Sequence, residues 1–273
     1  MNNIKIYFFL LLFHLVVMPN VAQEANFNEQ SFFQSLKDSY YTLKSTELKN
    51  FTVLVTNSKI EIFAEENWNN KEIFPLQVIW FNPDKIYISQ LGVPALDSLK
   101  QAEFDELIEG LTKQVRGIMI DLQRFYFMGV YESIPEDYIL KYDEEKVQIT
   151  NNVGTGKDLT KVKQLLGHNG LLIQIEISYP AQNKRVYLFP VFKIVKTKWL
   201  CEGWKFQTYI NNEVQNGFDL QIKNLFSQNV WVPVEISLQV QTAEEKGVTF
   251  YDIIKLKNYL FNQPIELLKD NIK

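Results

Sequence analysis

The chain of 273 residues is 46% hydrophobic and 14% aromatic, and its 28 basic and 32 acidic side chains give a net charge of −4 at pH 7. This mild negative charge argues against a nucleic-acid partner, which requires a basic face. The single cysteine, Cys201, excludes an internal disulfide. Stability must therefore come from the burial of apolar side chains.

Residues 1–22 have the layout of a secretory signal peptide. Lys5 precedes an apolar run over residues 6–18, and small residues follow near Ala22. The run is too short to span a membrane comfortably. We expect cleavage near Ala22 or Gln23 and export of residues 23–273, which we interpret as one domain because no linker or repeat interrupts them.

The N-terminal third of the exported part predicts one amphipathic helix followed by four strands. Apolar residues at spacings of three and four favour a helix over 28–44. Strands are expected at FTVLV from Phe51, at KIEIF ending at Phe63, and over 76–81 and 85–89. The Asn-Pro-Asp between the last two is typical of a turn, so this pair should form a hairpin.

The longest helix is predicted over 98–125. Ser98 and Gln101 have the spacing of a capping box. Gly110 and Gly117 are unfavourable inside a helix, which indicates that another element approaches closely there. One face carries the apolar residues Leu107, Leu111, Val115, Ile118, Leu122 and Phe125.

The chain from about residue 138 onward predicts only strands. The clearest is VWVPVEISLQVQ, residues 230–241, in which every second residue is apolar and one face is therefore buried. Pro233 within it indicates an edge strand or a bulge, because proline cannot donate to the strand ladder. The predicted strands are 138–142, 146–150, 171–178, 184–195, 203–210, 217–225, 230–241 and 248–258.

These elements predict a mainly β (α+β) fold. About eleven antiparallel strands make a sheet roughly 50 Å wide, and two amphipathic helices cover only about 20 Å of that width. A flat sheet would leave apolar surface in water. We therefore expect a strongly curved antiparallel sheet that forms an unclosed barrel around the two helices. A cleft left by incomplete closure would favour an apolar ligand.

Two segments resemble the bacterial lipoprotein-carrier (LolA-like and LppX-like) superfamily. WFNPDKIYIS, residues 80–89, is similar to its early hairpin, and residues 230–265 are similar to its closing hairpin, with a Trp-x-Pro strand at Trp231 and a tail at Tyr259. The resemblance implies a half-barrel over residues 23–273 that binds acyl chains. It further implies the periplasm of a Gram-negative envelope, and it leaves open an envelope membrane protein as partner.

One feature of the lipoprotein carriers is missing. Those proteins hold a lid with an arginine on an early strand, and residues 50–90 contain no arginine. We therefore carry over the fold and the ligand class from the resemblance, and we do not carry over lipoprotein transfer or its partner proteins.

The residue types that catalysis requires are sparse. His168, in GHNG, is the one histidine of the exported part and is typical of a turn. Cys201 is typical of a small buried hydrophobe, and no motif supports a Cys–His pair. GTGK at 154–157 lacks the spacing of a phosphate loop. We therefore predict no enzyme activity, no cofactor, no metal site and no catalytic residues.

Two functions from different classes remain open. One is an exported carrier or binding protein for a lipid, a lipoprotein acyl chain or another hydrophobic molecule. The other is an envelope protein–protein interaction module with a fully packed barrel, and a hydrolase ranks last because a triad needs histidine. A monomer is expected in either case. For the carrier, the predicted ligand-binding residues are Val232, Val234, Ile236, Leu238, Leu111, Val115, Ile118 and Trp80.

Overall fold

Twelve antiparallel strands form one open sheet. A computed structural model describes residues 27–242 and 250–265, so the predicted signal peptide lies outside the described residues. The strands are β1 (Asn50–Asn57), β2 (Leu76–Phe81), β3 (Lys85–Gln90), β4 (Ile139–Tyr142), β5 (Lys146–Val153), β6 (Thr160–Gly167), β7 (Leu172–Tyr179), β8 (Lys184–Val195), β9 (Lys198–Ile210), β10 (Glu213–Ser227), β11 (Val230–Thr242) and β12 (Phe250–Phe261).

The sheet order is β3-β2-β1-β12-β11-β10-β9-β8-β7-β6-β5-β4. Strands β4 to β12 therefore follow one another as hairpins. The pairing of β1 with β12 joins the first three strands, β1, β2 and β3, to this series. The mainly β class and the unclosed sheet are confirmed, with twelve strands in place of about eleven. The missed strand is β6, in which Gln164 occupies a buried position. A polar residue on the inward face hides the alternation that identifies a strand.

Three α-helices accompany the sheet, one more than expected. They are α1 (Glu29–Ser39), α2 (Ser58–Trp68) and α3 (Ser98–Leu122), and a π-helical turn, Gln123–Phe127, continues α3. The long predicted helix is therefore confirmed.

The first helix is shorter than predicted. It ends at Ser39, and Tyr40 already has extended backbone. Tyr40 forms a parallel bridge with Trp199, and the N–H of Tyr41 donates to the carbonyl of Trp199 at 3.0 Å. Pairing with the sheet thus replaces the last predicted turns of this helix.

The segment KIEIF is not a strand but part of α2. The Asn57 side chain accepts a hydrogen bond from the N–H of Ile60 and caps the helix. Ile60 and Phe63 are buried at helical spacing, whereas Ile62 is 60% exposed. The alternation of Ile60 and Ile62 therefore gave a wrong prediction. The Asn57 cap and the burial of Ile60 and Phe63, three residues apart, favour the helix.

Two expectations about α3 were wrong. Its N-cap is Asp97, whose side chain accepts from the N–H groups of Leu99 and Lys100, so Ser98 and Gln101 form no capping box. Nothing approaches Gly110 or Gly117, because a Cβ atom at either position would have no neighbour within 4 Å.

An aromatic cluster at the end of α3 fills the space against the sheet. The π-helical turn supplies Phe125, Tyr126 and Phe127, all buried. The ring of Phe125 lies 5.7 Å from that of Trp204 on β9, and Phe127 lies 5.8 Å from Trp80 on β2. Aromatic rings bury large areas, so this turn connects strands from distant parts of the sheet.

A buried polar contact fastens α2 to β12. Asp252 is fully buried, and its carboxylate accepts hydrogen bonds from the side-chain amide of Asn57 at 2.8 Å and from the N–H of Ile253 at 2.9 Å. Burial raises the pKa of Asp252, and hydrogen bonds from Ile253, Gln114 and Asn57 oppose this shift. The residue that caps α2 is therefore tied to β12.

The open space around the α3 glycines predicts that Gly110→Ala and Gly117→Ala raise the free energy of unfolding, each by about 0.5–1 kcal/mol, because alanine restricts the unfolded chain and meets no obstacle here. Urea unfolding monitored by circular dichroism measures the change. Gly203→Ala is the matched control and should destabilise, since Gly203 has φ of 141° and its Cβ would lie 2.0 Å from the carbonyl oxygen of Leu220. Loss of stability in the α3 variants would contradict this assignment.

The raised pKa of Asp252 predicts a specific pH dependence. The folded chain binds this proton more tightly than the unfolded chain, so its contribution to stability is largest below the unfolded pKa of about 3.9 and falls as the pH rises through the folded pKa. Asp252→Asn removes the titration. As the pH rises from about 4, the unfolding free energy of the variant should therefore increase relative to that of the wild type. Asp137→Asn, at an exposed residue, is the control. The prediction is refuted if the difference in unfolding free energy between Asp252→Asn and wild type does not change with pH and equals that of the control.

Candidate functional site

Strands β11 and β12 separate along half of their length. Their pairing runs from Val240↔Phe250 to Glu235↔Lys255 and stops there. Beyond this point β11 continues to pair with β10, and β12 continues to pair with β1 as far as Phe261. A slit therefore opens in the sheet between residues 230–234 and residues 256–261.

A bulge at Pro233 accounts for the start of the slit. Lys223 on β10 pairs with Glu235, but the next residue, Asn224, pairs with Pro233, so Val234 is the extra residue. Of the two alternatives that Pro233 indicated, an edge strand or a bulge, the bulge is confirmed, because β11 lies inside the sheet. Bulges bend a strand and increase its twist, and Pro233 has no N–H to offer a neighbour. β11 consequently turns away from β12.

Two tyrosine hydroxyls form hydrogen bonds with the backbone of β11 where β12 no longer pairs with it. The hydroxyl of Tyr41 accepts from the N–H of Trp231 at 2.7 Å. The hydroxyl of Tyr259, on β12 itself, donates to the carbonyl oxygen of Pro233 at 2.5 Å. Burial raises the pKa of Tyr41 to about 12, so it stays neutral at physiological pH. Side chains thus satisfy backbone groups that a continuous sheet would pair.

A third tyrosine hydroxyl lies in the same region without a partner. Tyr126 is fully buried, and its hydroxyl has no hydrogen bond among the described residues. Burial raises its pKa well above the ordinary value, and Tyr41 and Tyr259 add to the shift. An unpaired buried hydroxyl is unfavourable by about 1–3 kcal/mol.

The slit has a volume of about 510 Å³. Volumes of roughly 300–1,000 Å³ are typical of small-molecule sites. Its walls come from both separated strands and from the end of β10, and they combine apolar with polar and charged side chains. The lining residues are Leu225, Ser227, Gln228, Val232, Val234, Glu235, Lys255, Leu256, Lys257, Asn258, Tyr259 and Phe261.

Two lysines stand at the rim of the slit. Lys255 bonds to both carboxylate oxygens of Glu61 on α2, at 2.7 and 2.6 Å. Lys257 has a longer contact, 3.5 Å to Glu72, and its side chain is 46% exposed. Of the two lysines, Lys257 is therefore the one that is more available to contact a ligand, and it lies next to the apolar side chains of the slit.

Two of the predicted ligand-binding residues line the slit, and the others lie in the core or against it. Val232 and Val234 line the slit, and Val232 is also a core residue, 1% exposed. Leu238 is half-buried and packs against the hydrophobic core. The structure places the other five inside that core, where each is 7% exposed or less: Trp80, Leu111, Val115, Ile118 and Ile236. Their contact with a ligand stays a prediction.

Sequence reasoning missed the wall of the slit that β12 provides. Leu256, Lys257 and Phe261 line it together with Tyr259. The alternating pattern of β12 identifies a strand but not its separation from β11. The usable signal was Pro233, since a bulge beside a long partner strand predicts interrupted pairing.

A second groove, of about 710 Å³, lies between α1 and residues 131–138. It contains aromatic rings and carboxylates, several of which are already engaged. The Tyr138 hydroxyl donates to Glu29 at 2.5 Å, and Lys44 pairs with Glu132 at 2.6 Å. This groove suits an apolar molecule less well than the slit does.

Cys201 and His168 are held by separate structural contacts. Cys201 is buried, its thiol contacts the carbonyl of Gly203 at 3.6 Å, and burial raises its pKa to about 12. The thiol is therefore protonated at neutral pH and a poor nucleophile. His168 is exposed and bonds to the carbonyl of Asp143 at 2.7 Å. Within residues 27–242 and 250–265, no three His, Cys, Asp or Glu side chains are grouped to hold a metal ion.

Comparisons with known proteins add no identity to this geometry. No protein-family model, characterised protein or solved structure matches the chain. The resemblance to the lipoprotein-carrier superfamily therefore stays a prediction. In the part of the chain that the structure describes, no helix is both long enough and apolar enough to cross a membrane.

The tyrosines at the slit provide a matched pair of variants. Tyr259→Phe removes the hydrogen bond to Pro233 and should lower the free energy of unfolding by about 1 kcal/mol. Tyr126→Phe removes a buried hydroxyl that has no partner, so stability should stay unchanged or rise. Urea unfolding at neutral pH measures both. Equal losses in the two variants would show that the Tyr259 bond does not support this part of the sheet.

Proposed function

We propose that this chain is a binding or carrier protein for a hydrophobic molecule that occupies the slit between β11 and β12. The observation that carries the proposal is the interruption of pairing between β11 and β12, which leaves about 510 Å³ lined in part by apolar side chains. An apolar ligand that covers these apolar side chains removes their surface from water, so it binds there through the hydrophobic effect.

The rim favours a ligand with an anionic group. Lys255 is already neutralised by Glu61, and Glu235 is its partner across the strand register. Lys257 is half-exposed and only weakly paired. An amphiphile such as a fatty acid or phospholipid, with its chain in the slit and its negative group near Lys257, satisfies both surfaces.

The proposal includes export and no catalysis. The pattern of residues 1–22 is typical of a secretory signal peptide, and the sequence resemblance adds the periplasm as the compartment. The role assigned to the slit is reversible binding, because the tyrosine hydroxyls that border it are neutral and bonded to the backbone.

The unclosed sheet supports a second candidate function, a protein interaction module. Its two outer strands, β3 and β4, each have one unpaired edge in the described sheet. An extended peptide can add a strand to such an edge. β4 is only four residues long, which limits the ladder that a partner could form there.

A fatty-acid titration of the purified protein separates the two functions. Native mass spectrometry should detect one bound oleate, and Val234→Trp should reduce the affinity by about tenfold or more because the indole fills the slit. Val153→Trp is the control, since Val153 is 56% exposed on β5. Lys257→Gln should weaken oleate more than the uncharged oleyl alcohol. The lysine control is the exposed Lys157→Gln.

The contrary results are equally distinct. If wild type binds neither oleate nor phospholipid, the carrier function is wrong, and the search moves to peptides that pair with β3 or β4. If binding is strong but unchanged by Val234→Trp in a folded protein, the ligand lies outside the slit. Circular dichroism and thermal unfolding of each variant confirm that the fold is retained.

A further inference from the structure

At one end of the molecule, two hairpins extend beyond the continuous sheet. The pairing of β9 with β10 stops at Gly203↔Gln221, and the pairing of β11 with β12 stops at Glu235↔Lys255. The β10–β11 hairpin over residues 222–234 therefore pairs only with itself. Beside it lies the β8–β9 hairpin over residues 191–203. We refer to these two segments together as the paired tips.

Side chains of the two hairpins meet in a single surface. The ammonium of Lys193 lies 5.7 Å from the ring centre of Trp231, and that of Lys196 lies 5.8 Å from the ring centre of Phe226. The rings of Phe226 and Trp231 are 5.2 Å apart. Lysines from one hairpin thus cover aromatic rings of the other.

The surface of the paired tips carries apolar side chains that the core does not bury. Ile194 is 70% exposed, Leu225 is 53% exposed and Phe226 is 44% exposed. Leu225 and Phe226 are consecutive in a strand, so they point to opposite faces. Ile222, Val230 and Val232 of the same hairpin are buried in the core, so Leu225 and Phe226 are apolar side chains in addition to those that the core takes up.

The charge of the paired tips is opposite to that of the whole chain. They contain four lysines and one glutamate, within a chain whose net charge is −4. The glutamate, Glu202, pairs with Lys193 at 2.5 Å. The other three lysines, Lys196, Lys198 and Lys223, have no ion pair within 4 Å among the described residues, and Lys223 lies opposite Glu235 in the β10–β11 register. The unpaired positive charge is therefore concentrated beside the exposed apolar side chains.

We propose that the paired tips dock on an anionic lipid surface. The side chains of Ile194, Leu225 and Phe226 enter the boundary between headgroups and acyl chains, where exposed apolar groups leave water. The lysines meet the lipid phosphates, and Trp231 lies at headgroup depth, which suits an amphipathic ring.

Docking in this orientation brings the slit to the bilayer. Leu225 and Ser227 belong to the paired tips and also line the slit. A lipid could then pass between the membrane and the slit without crossing water. This consequence rests on the proposed function, whereas the docking itself does not depend on a ligand in the slit.

Co-sedimentation with vesicles tests the docking. The protein is used as purified from its host, with its N-terminus determined by mass spectrometry. It should bind vesicles of phosphatidylcholine mixed with phosphatidylglycerol more strongly than phosphatidylcholine alone, and about 0.5 M salt should reduce this difference because it screens charge. Changing Lys196, Lys198 and Lys223 together to Gln should weaken binding at least about tenfold.

Matched variants separate the paired tips from the rest of the surface. Ile194→Ser with Phe226→Ser, at two residues that do not line the slit, should weaken binding to the mixed vesicles about tenfold. The apolar control is Ile139→Ser with Val153→Ser, at residues that are 58% and 56% exposed elsewhere. The charge control is Lys141→Gln with Lys157→Gln, both exposed. Both controls should bind like wild type.

Three outcomes would overturn the docking proposal. These are no binding to either vesicle, binding without preference for phosphatidylglycerol, and binding that the tip variants and the controls retain equally. A protein partner in place of a membrane would give the first. Oleate binding measured without vesicles reports on the slit alone, so failure of the docking and failure of the carrier function are distinguishable.

Discussion

The antiparallel pairing of β1 with β12 holds the two parts of the sheet together. β1 to β3 come from the start of the described chain, and β12 from its end, so this ladder is the contact that makes one sheet of twelve strands. Contacts across the same junction support it. The amide of Asn57 bonds to Asp252, and Lys255 pairs with Glu61. Such long-range pairing has a high entropic cost of closure, which the buried residues along both strands must offset.

β12 pairs with β11 over its first half and with β1 over its second half, and the ladder with β11 stops two residues from Pro233. The ladder with β1 continues to Phe261, while the ladder with β11 ends at Lys255. A proline and a bulge at this point remove the donors and the alignment that a longer ladder would need. The hydroxyls of Tyr41 and Tyr259 satisfy part of the exposed backbone. The slit is therefore a consequence of the bulge in β11, which leaves β12 paired with β1 alone beyond Lys255.

The properties that point to a function are concentrated at one end of the molecule. The slit lies between β11 and β12, and the paired tips extend from the same end of the sheet, with Leu225 common to both. Elsewhere the α3 helix and its aromatic turn fill the interior, where Leu111 and Val115 are almost fully buried. Apolar residues thus serve two purposes, core packing beneath α3 and an accessible surface where strand pairing stops.

The sequence by itself determined the elements whose signals are local. Alternation predicted the long C-terminal strands, the spacing of apolar residues predicted α3, and Pro233 predicted a bulge. It failed where local patterns compete, as in α2, where the Asn57 cap overrode an apparent strand, and in β6, where Gln164 faces inward. Of the predicted ligand-binding residues, only Val232 and Val234 line the slit. Tertiary structure decided this division, because periodicity fixes which face of an element is apolar, whereas long-range pairing fixes whether a neighbour covers that face.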